Sequence, residues 1–145
     1  MRTHREEIAS PYTTNQLYAL VADVEKYPEF IPWCVGARVV ERGDDWIIAD
    51  LLVGFKGISE SYRSKIHLNP NEIDIEYLQG PFSQLENNWK FEVMPDGSSK
   101  IKFMIKFEFR SRLLQGLIGG LFDKAVMKMM HAFETRADEI YGTNK

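Results

Sequence analysis

At least five consecutive segments with apolar residues at every second position are followed, at the end of the chain, by one run of helical periodicity from about Arg112 to Tyr141. That order limits the available folds. Roughly 30 helical residues rising 1.5 Å each make a rod about 45 Å long but only about 10 Å wide. Six or seven strands at about 4.8 Å spacing make a sheet about 30 Å across, which one rod cannot cover while the sheet stays flat. The sheet must curl around the helix, and a curled sheet gripping a helix leaves a hollow between them.

With 145 residues and 44% hydrophobic side chains, the chain is expected to form one domain over residues 1–145 and to bury a core without disulfides or metal. Its net charge of -3 lacks the basic excess of dedicated nucleic-acid binders. DNA is therefore not an expected partner, and any ribosomal contact must use a local patch. The one cysteine, Cys34, permits neither an intramolecular disulfide nor a cysteine-based zinc site, which fits a reducing, cytoplasmic setting. Met1 to Pro11 carry Arg2, His4, Arg5, Glu6 and Glu7 and no apolar segment of a secretory signal. The most apolar stretch, Leu113 to Phe122, is too short to span a bilayer, though not to lie on one, so membrane contact is expected only at the periphery.

Thr3 to Ala9 suit a first strand, and Thr13 with Gln16 three residues on predicts a capping box opening a helix with Leu17, Leu20, Val21 and Val24 on one stripe. Pro28 and Pro32 end that helix near Tyr27 and leave an aromatic connector to Cys34. Strands follow at about Ala37 to Glu41, Trp46 to Phe55, Ile58 to Leu68, Ile73 to Tyr77, Leu85 to Val93 and Ile101 to Phe109. Turn residues separate them at Gly43 to Asp45, Asn69 to Asn71 and Pro95 to Gly97. The plan is α+β.

In the terminal run, Leu114, Leu117, Ile118, Leu121, Ala125, Met129, Phe133 and Ile140 share one broad face. Gly116, Gly119 and Gly120 each cost up to about 1 kcal/mol there relative to alanine. They either let the sheet approach closely or loosen the helix start as a gate. An empty apolar cavity of about 300 Å³ would cost roughly 7 kcal/mol, so a hollow must be small, wet or usually occupied. Strand alternation aims Phe55, Tyr62, Tyr77, Trp89, Phe91, Phe103 and Phe107 inward. Glu60 and Ser64 share the face of Tyr62, and Asn87 lies between Leu85 and Trp89; Glu60 and Asn87 either face solvent at a sheet edge or point inward, where the Asn87 amide suits a ligand carbonyl or hydroxyl.

The connector Tyr27-Pro28-Glu29-Phe30-Ile31-Pro32-Trp33-Cys34, the run Gly54-Phe55-Lys56-Gly57-Ile58 with Glu60, and Gly80-Pro81-Phe82 followed by Leu85, Trp89 and Phe91 resemble, in order as well as content, the coenzyme Q-binding family of START-like domains. With the element plan, the resemblance covers nearly the whole chain; Ile31 stands where leucine is usual. It implies a helix-grip fold, a curved antiparallel sheet of six or seven strands around a long C-terminal helix, with a cavity for a lipid or polyisoprenoid quinone. The wider group includes polyketide cyclases and aromatase-like proteins, and some bacterial members are named ribosome association toxins. Mitochondrial members carry a targeting extension not visible here, so a bacterial cytoplasmic origin is expected. The resemblance adds Phe30, Trp33 and Phe82 to the candidate ligand-binding residues, and the helical face adds Leu117 and Leu121.

No nucleophile-base-orienter set is evident, with His4, His67 and His131 scattered, so the expectation is a non-enzymatic carrier of a ubiquinone-like lipid with no covalent cofactor. That role would support respiratory electron transfer or quinone biosynthesis. The alternative is a factor that binds the large ribosomal subunit and blocks subunit joining, as the named toxins imply. For it, Lys100, Lys102, Lys106 and Arg110 alternate on one strand face, interrupted by Glu108, with Arg63, Lys65 and His67 on another.

Overall fold

The computed structural model describes residues 2–55, 57–118 and 121–142. Its strands are β1 (Arg2–Ser10), β2 (Cys34–Arg42), β3 (Trp46–Phe55), β4 (Ile58–Asn69), β5 (Glu72–Gln79), β6 (Phe82–Val93) and β7 (Ser99–Phe109). All belong to one antiparallel sheet in the order β1-β7-β6-β5-β4-β3-β2. The first strand thus lies beside the last, and the other six form a meander. Register shifts at Cys34/Gly36 and Val39/Glu41 in β2, at Leu78 of β5 opposite Arg63/Ser64, and at Phe82/Gln84 in β6 bend the strands. Each such bulge adds local twist, which lets strands of up to 12 residues curve around a core.

Helix α1 (Thr14–Ala22) and a short 3₁₀ helix (Val24–Glu29) carry the chain from one sheet edge to the other. The predicted capping box opens α1: Thr13 Oγ1 accepts from the Gln16 N–H at 3.1 Å, and the Thr13 N–H donates to Gln16 Oε1 at 3.0 Å. Helix α1 stops at Ala22, earlier than the predicted end near Tyr27, and Pro28 is accommodated inside the 3₁₀ helix. Tighter i to i+3 bonding, such as the Phe30 N–H to the Tyr27 carbonyl at 3.2 Å, spans the proline without needing its missing N–H.

The single terminal rod inferred from periodicity is instead two helices, α2 (Arg112–Ile118) and α3 (Phe122–Tyr141). At 20 residues, α3 is about 30 Å long, so it covers less of the sheet than a continuous rod would. Gly119 and Gly120, two of the three glycines offered as a gate or a packing device, lie outside the described residues. At Gly116 the packing explanation fails, because it is exposed and an added Cβ would meet nothing within 4 Å.

Buried Val126, Met129, Met130, Phe133 and Ala137 form the inward stripe of α3. Its C-terminal end is tied to the first elements, where the Tyr141 hydroxyl donates to the Gln16 carbonyl at 3.0 Å and the Tyr12 hydroxyl donates to Asp138. Helix α1 lies over the sheet at β5 and β6, with Tyr18 against Phe91 at 5.5 Å between ring centroids.

Gly80 brings β5 round to β6 at φ +151°, and a Cβ there would sit 2.5 Å from that of Tyr62 and 3.2 Å from the Ser61 carbonyl oxygen. Gly80→Ala should cost about 1–3 kcal/mol, read as a lower midpoint in chemical denaturation. An unchanged midpoint would show that this turn relaxes freely.

Candidate ligand-binding cavity

Ladder pairing fixes which side chains share the concave face. Val53 opposes Glu60, Leu51 opposes Tyr62, Ile75 opposes Asn87, Asn87 opposes Ile105, and Trp89 opposes Phe103. Over part of this face α3 and the connector form a roof, and a cavity of about 180 Å³ lies between. Its sheet side is built from Leu51, Val53, Glu60, Tyr62, Ile75, Asn87, Trp89, Ile105, Phe107 and Phe109, with Pro81 at one end. Tyr27, Trp33, Leu121, Ala125, Val126, Met129 and Phe133 complete it from above. Trp33 fastens the connector to α3 by donating its indole N–H to the Ala125 carbonyl at 3.3 Å.

Of the residues singled out from sequence, Trp33, Glu60, Tyr62, Asn87, Trp89, Phe107 and Leu121 come together on this cavity. Five others do not line it. Phe30 packs edge-on against Phe133 at 5.1 Å and Tyr27 at 6.1 Å. Tyr77 and Phe82 close the sheet behind the lining: Phe82 stacks on Phe109 at 4.9 Å and meets Tyr62, Tyr77 and Phe107 edge-on. The Phe82 N–H also donates to the Tyr77 hydroxyl at 3.1 Å. Phe91 is covered by Tyr18 of α1, and Phe103 packs against Trp89 at 4.7 Å. The side chains of Phe55 and Leu117 lie outside the described residues. The roof residue Tyr27 was missed although it begins the connector motif, and Met129 and Phe133 were legible only as members of the apolar face of α3.

The cavity's polar groups are few. Asn87 spends its amide N–H on the Met104 carbonyl at 2.8 Å, which leaves its carbonyl oxygen as an acceptor toward the hollow. The Tyr62 hydroxyl makes no hydrogen bond among the described residues. Burial pushes its hydroxyl far above the ordinary tyrosine range, so it is a neutral O–H donor at any physiological pH. Tyr27, likewise raised by burial, donates to the Val21 carbonyl. Glu60 supplies the one carboxylate on the lining. Ser64, on the same strand face, is buried away from the cavity with its Oγ unpartnered among the described residues.

Neither the histidines nor Cys34 join this lining. His67 pairs with Glu76 at 2.9 Å, His4 lies 3.2 Å from Glu6, and His131 is exposed on α3. Burial raises the Cys34 thiol above its usual range, which disfavours the reactive thiolate.

On the outer sheet face the cations offered as an RNA stripe are engaged. Lys100 pairs with Glu7 at 2.7 Å, Lys102 with Glu92 at 2.9 Å and Lys106 with Glu86 at 3.9 Å, while Arg110 donates to the Phe82 carbonyl at 2.9 Å. Arg63 forks onto Asp50 at 2.8 and 3.1 Å, and Lys65 lies over the Trp46 ring at 4.8 Å. Among the described residues, no helix is long and apolar enough to cross a membrane.

Residues 10–134 match the family described as polyketide cyclase / dehydrase and lipid transport. The chain belongs to that family. It is 37% identical over 135 residues to the ribosome association toxin of Rickettsia prowazekii, covering 90% of this chain and 92% of that one. It is 35% identical over 136 residues to a mitochondrial coenzyme Q-binding protein homolog of Xenopus laevis, covering 90% of this chain but 56% of the relative. A START superfamily protein from Mycobacterium smegmatis superposes with a TM-score of 0.82 over 95% of this chain and 98% of its own, at 17% identity, a likeness of fold. The helix-grip, START-like architecture expected from sequence is thus the one observed.

Asp50 yields a pH prediction. Its hydrogen bonds to Arg63 and then Arg38 hold the carboxyl below its ordinary 3.8, so the stabilisation is present above that value and is lost as pH falls through the depressed folded value. Asp50→Asn should flatten the dependence of unfolding free energy on pH below 3.8, measured by urea denaturation across that range. A variant as acid-sensitive as the parent would remove Asp50 as a contributor.

Proposed function

We propose that the protein binds an isoprenoid quinone, or a lipid with a similar ring head, in the cavity beneath α3 and carries it without chemistry on it. The supporting observation is a largely apolar hollow in which the Tyr27 hydroxyl and Trp33 indole are engaged by backbone carbonyls, while Glu60, the Tyr62 hydroxyl and the Asn87 carbonyl are polar groups open to a ligand. A ring bearing carbonyl or hydroxyl oxygens suits that set: the Tyr62 O–H can donate to a carbonyl, while Glu60 and the Asn87 carbonyl can accept from a hydroxyl. The volume agrees with one ring, since an apolar cavity of about 150 Å³ is known to hold benzene. A long polyisoprenoid tail exceeds it and would have to leave through an opening. Beside the cavity lies an outer depression that shares Trp33, Leu121 and Ala125 with it and is flanked by Lys124 and Lys128. The absence of chemistry is supported by the remote histidines, and the match to a coenzyme Q-binding relative supports the ligand class.

Organic extracts of natively purified protein, analysed by mass spectrometry, should contain a quinone or related lipid. Added short-chain ubiquinone should stabilise the fold by about 2.7 kcal/mol at a hundredfold excess over Kd. Ile105→Trp, which fills the cavity, should abolish that shift while the free protein keeps its fold; Tyr62→Phe should weaken it about three- to tenfold, as for one lost hydrogen bond. No co-purifying lipid and no shift with several quinones would end this reading.

A second reading, association with the large ribosomal subunit, is favoured by the bacterial relatives of nearly equal length named for that property. The engaged stripe Lys102, Lys106 and Arg110 is a poor surface for it. Among the described residues Arg5, Lys90, Arg112, Lys124 and Lys128 make no ion pair, and the last two are neighbours on α3. Lys124→Glu with Lys128→Glu should release the protein from large subunits in sedimentation at 50 mM salt, where Lys102→Glu with Lys106→Glu should not. Wild-type protein that never sediments with them at low salt would exclude this role.

A further inference from the structure

A second cavity, of about 140 Å³, lies between the end of β1, α1 and the C-terminal half of α3. Most of its lining is apolar, including Ile8, Leu20, Met130 and Ala137, and Ser10, Glu134 and Asp138 also border it. It does not belong to the candidate site, yet the two hollows share two lining residues, Trp89 and Phe133. Their rings meet edge-on, with centroids 5.2 Å apart and planes at 68°. Trp89 is 2% exposed and Phe133 6%, so both hollows border one buried aromatic pair.

Resting on the ligand reading above, we infer that Trp89 and Phe133 form the inner stop of the site, limiting the part of a ligand buried on the α1 side to one ring and a short chain, and that the second cavity is a latent, largely apolar subsite for additional chain. The sizes support this. The first cavity is filled by about one ring, and the second has room for a group of comparable size, five or six carbons. Phe133 brings no polar atom to the wall, so removing its ring would join the spaces without stranding a hydrogen-bonding group. Phe133 is the ring to remove, because Trp89 belongs to the sheet and also packs on Phe103, whereas the other ring contacts of Phe133, Tyr27 and Phe30, lie in the roof. The second cavity can be plugged independently at Leu20, which lines it and not the first.

The test measures binding by calorimetry for ubiquinone analogues with one and two isoprene units, and for 4-butylphenol against 4-octylphenol as probes independent of the quinone head. Wild-type protein should bind the long and short member of each pair within about twofold. Phe133→Ala should favour the long member by about tenfold or more, since several carbons become buried. Adding Leu20→Phe to that variant should restore the wild-type ratio. Phe133→Val, which removes less volume, carries the same comparison if the alanine variant does not fold, with folding checked by circular dichroism. A length ratio unchanged in Phe133→Ala, or raised but indifferent to Leu20→Phe, overturns the inference and leaves quinone binding standing. Alkylphenols that obey the pattern while quinones fail to bind would overturn the quinone reading and uphold the inner stop. Failure of both probe pairs to bind wild-type protein overturns both.

Discussion

The structure depends on a mismatch of shape: a seven-stranded sheet curls, and a 20-residue helix covers only part of its concave side. Where α1 and the C-terminal half of α3 sit together, the face is covered more fully, around a smaller hollow of about 140 Å³, and Trp89, Phe91 and Phe103 are almost wholly buried. Where the N-terminal half of α3 and the connector alone form the roof, the same face stays partly open and the cavity results. Holding such a space empty costs roughly 4 kcal/mol at 24 cal/mol per Å³ for 180 Å³, a cost that bound lipid would offset.

Aromatic contacts keep the hollow from collapsing. Phe82 touches Tyr62, Tyr77, Phe107 and Phe109, which locks the ends of β4, β5, β6 and β7 around one ring. Phe133 does the same for the roof, meeting Tyr27, Phe30 and Trp89. Large rings with few rotatable bonds hold a wall at low entropic cost, and several edge-on contacts per ring fix their positions. Phe30, Tyr77 and Phe82 thus act behind the lining rather than on it.

The outer face shows how a charge pattern misleads when only one strand is read. Lysines at 100, 102 and 106 form a basic stripe along β7, but the neighbouring strands bring Glu7, Glu92 and Glu86 beside them. Cross-strand pairing turns a one-dimensional excess of positive charge into a nearly balanced surface. The pairs are solvent-exposed and contribute little stability; their main consequence is that the carboxylates offset the positive potential of the stripe.

The sequence by itself determined the sheet, its turns, the capping box of α1 and the face each strand residue takes, because period two and turn chemistry are local properties of the chain. It also aimed Tyr62, Trp89 and Phe107 into the same interior and left Asn87 open between that interior and solvent. It could not say where along each strand the roof would leave a gap. Phe91 and Phe103 have the same parity as Trp89 but fall outside the cavity lining, and only the positions of α1 and α3 decide that. Likewise the division of the terminal run into α2 and α3 was invisible to a periodicity that continues across the glycines, and the ion pairs of β7 required knowing its neighbours. Alternation fixes direction, whereas burial and cavity shape depend on contacts between residues far apart in the chain, which only the tertiary structure brings together.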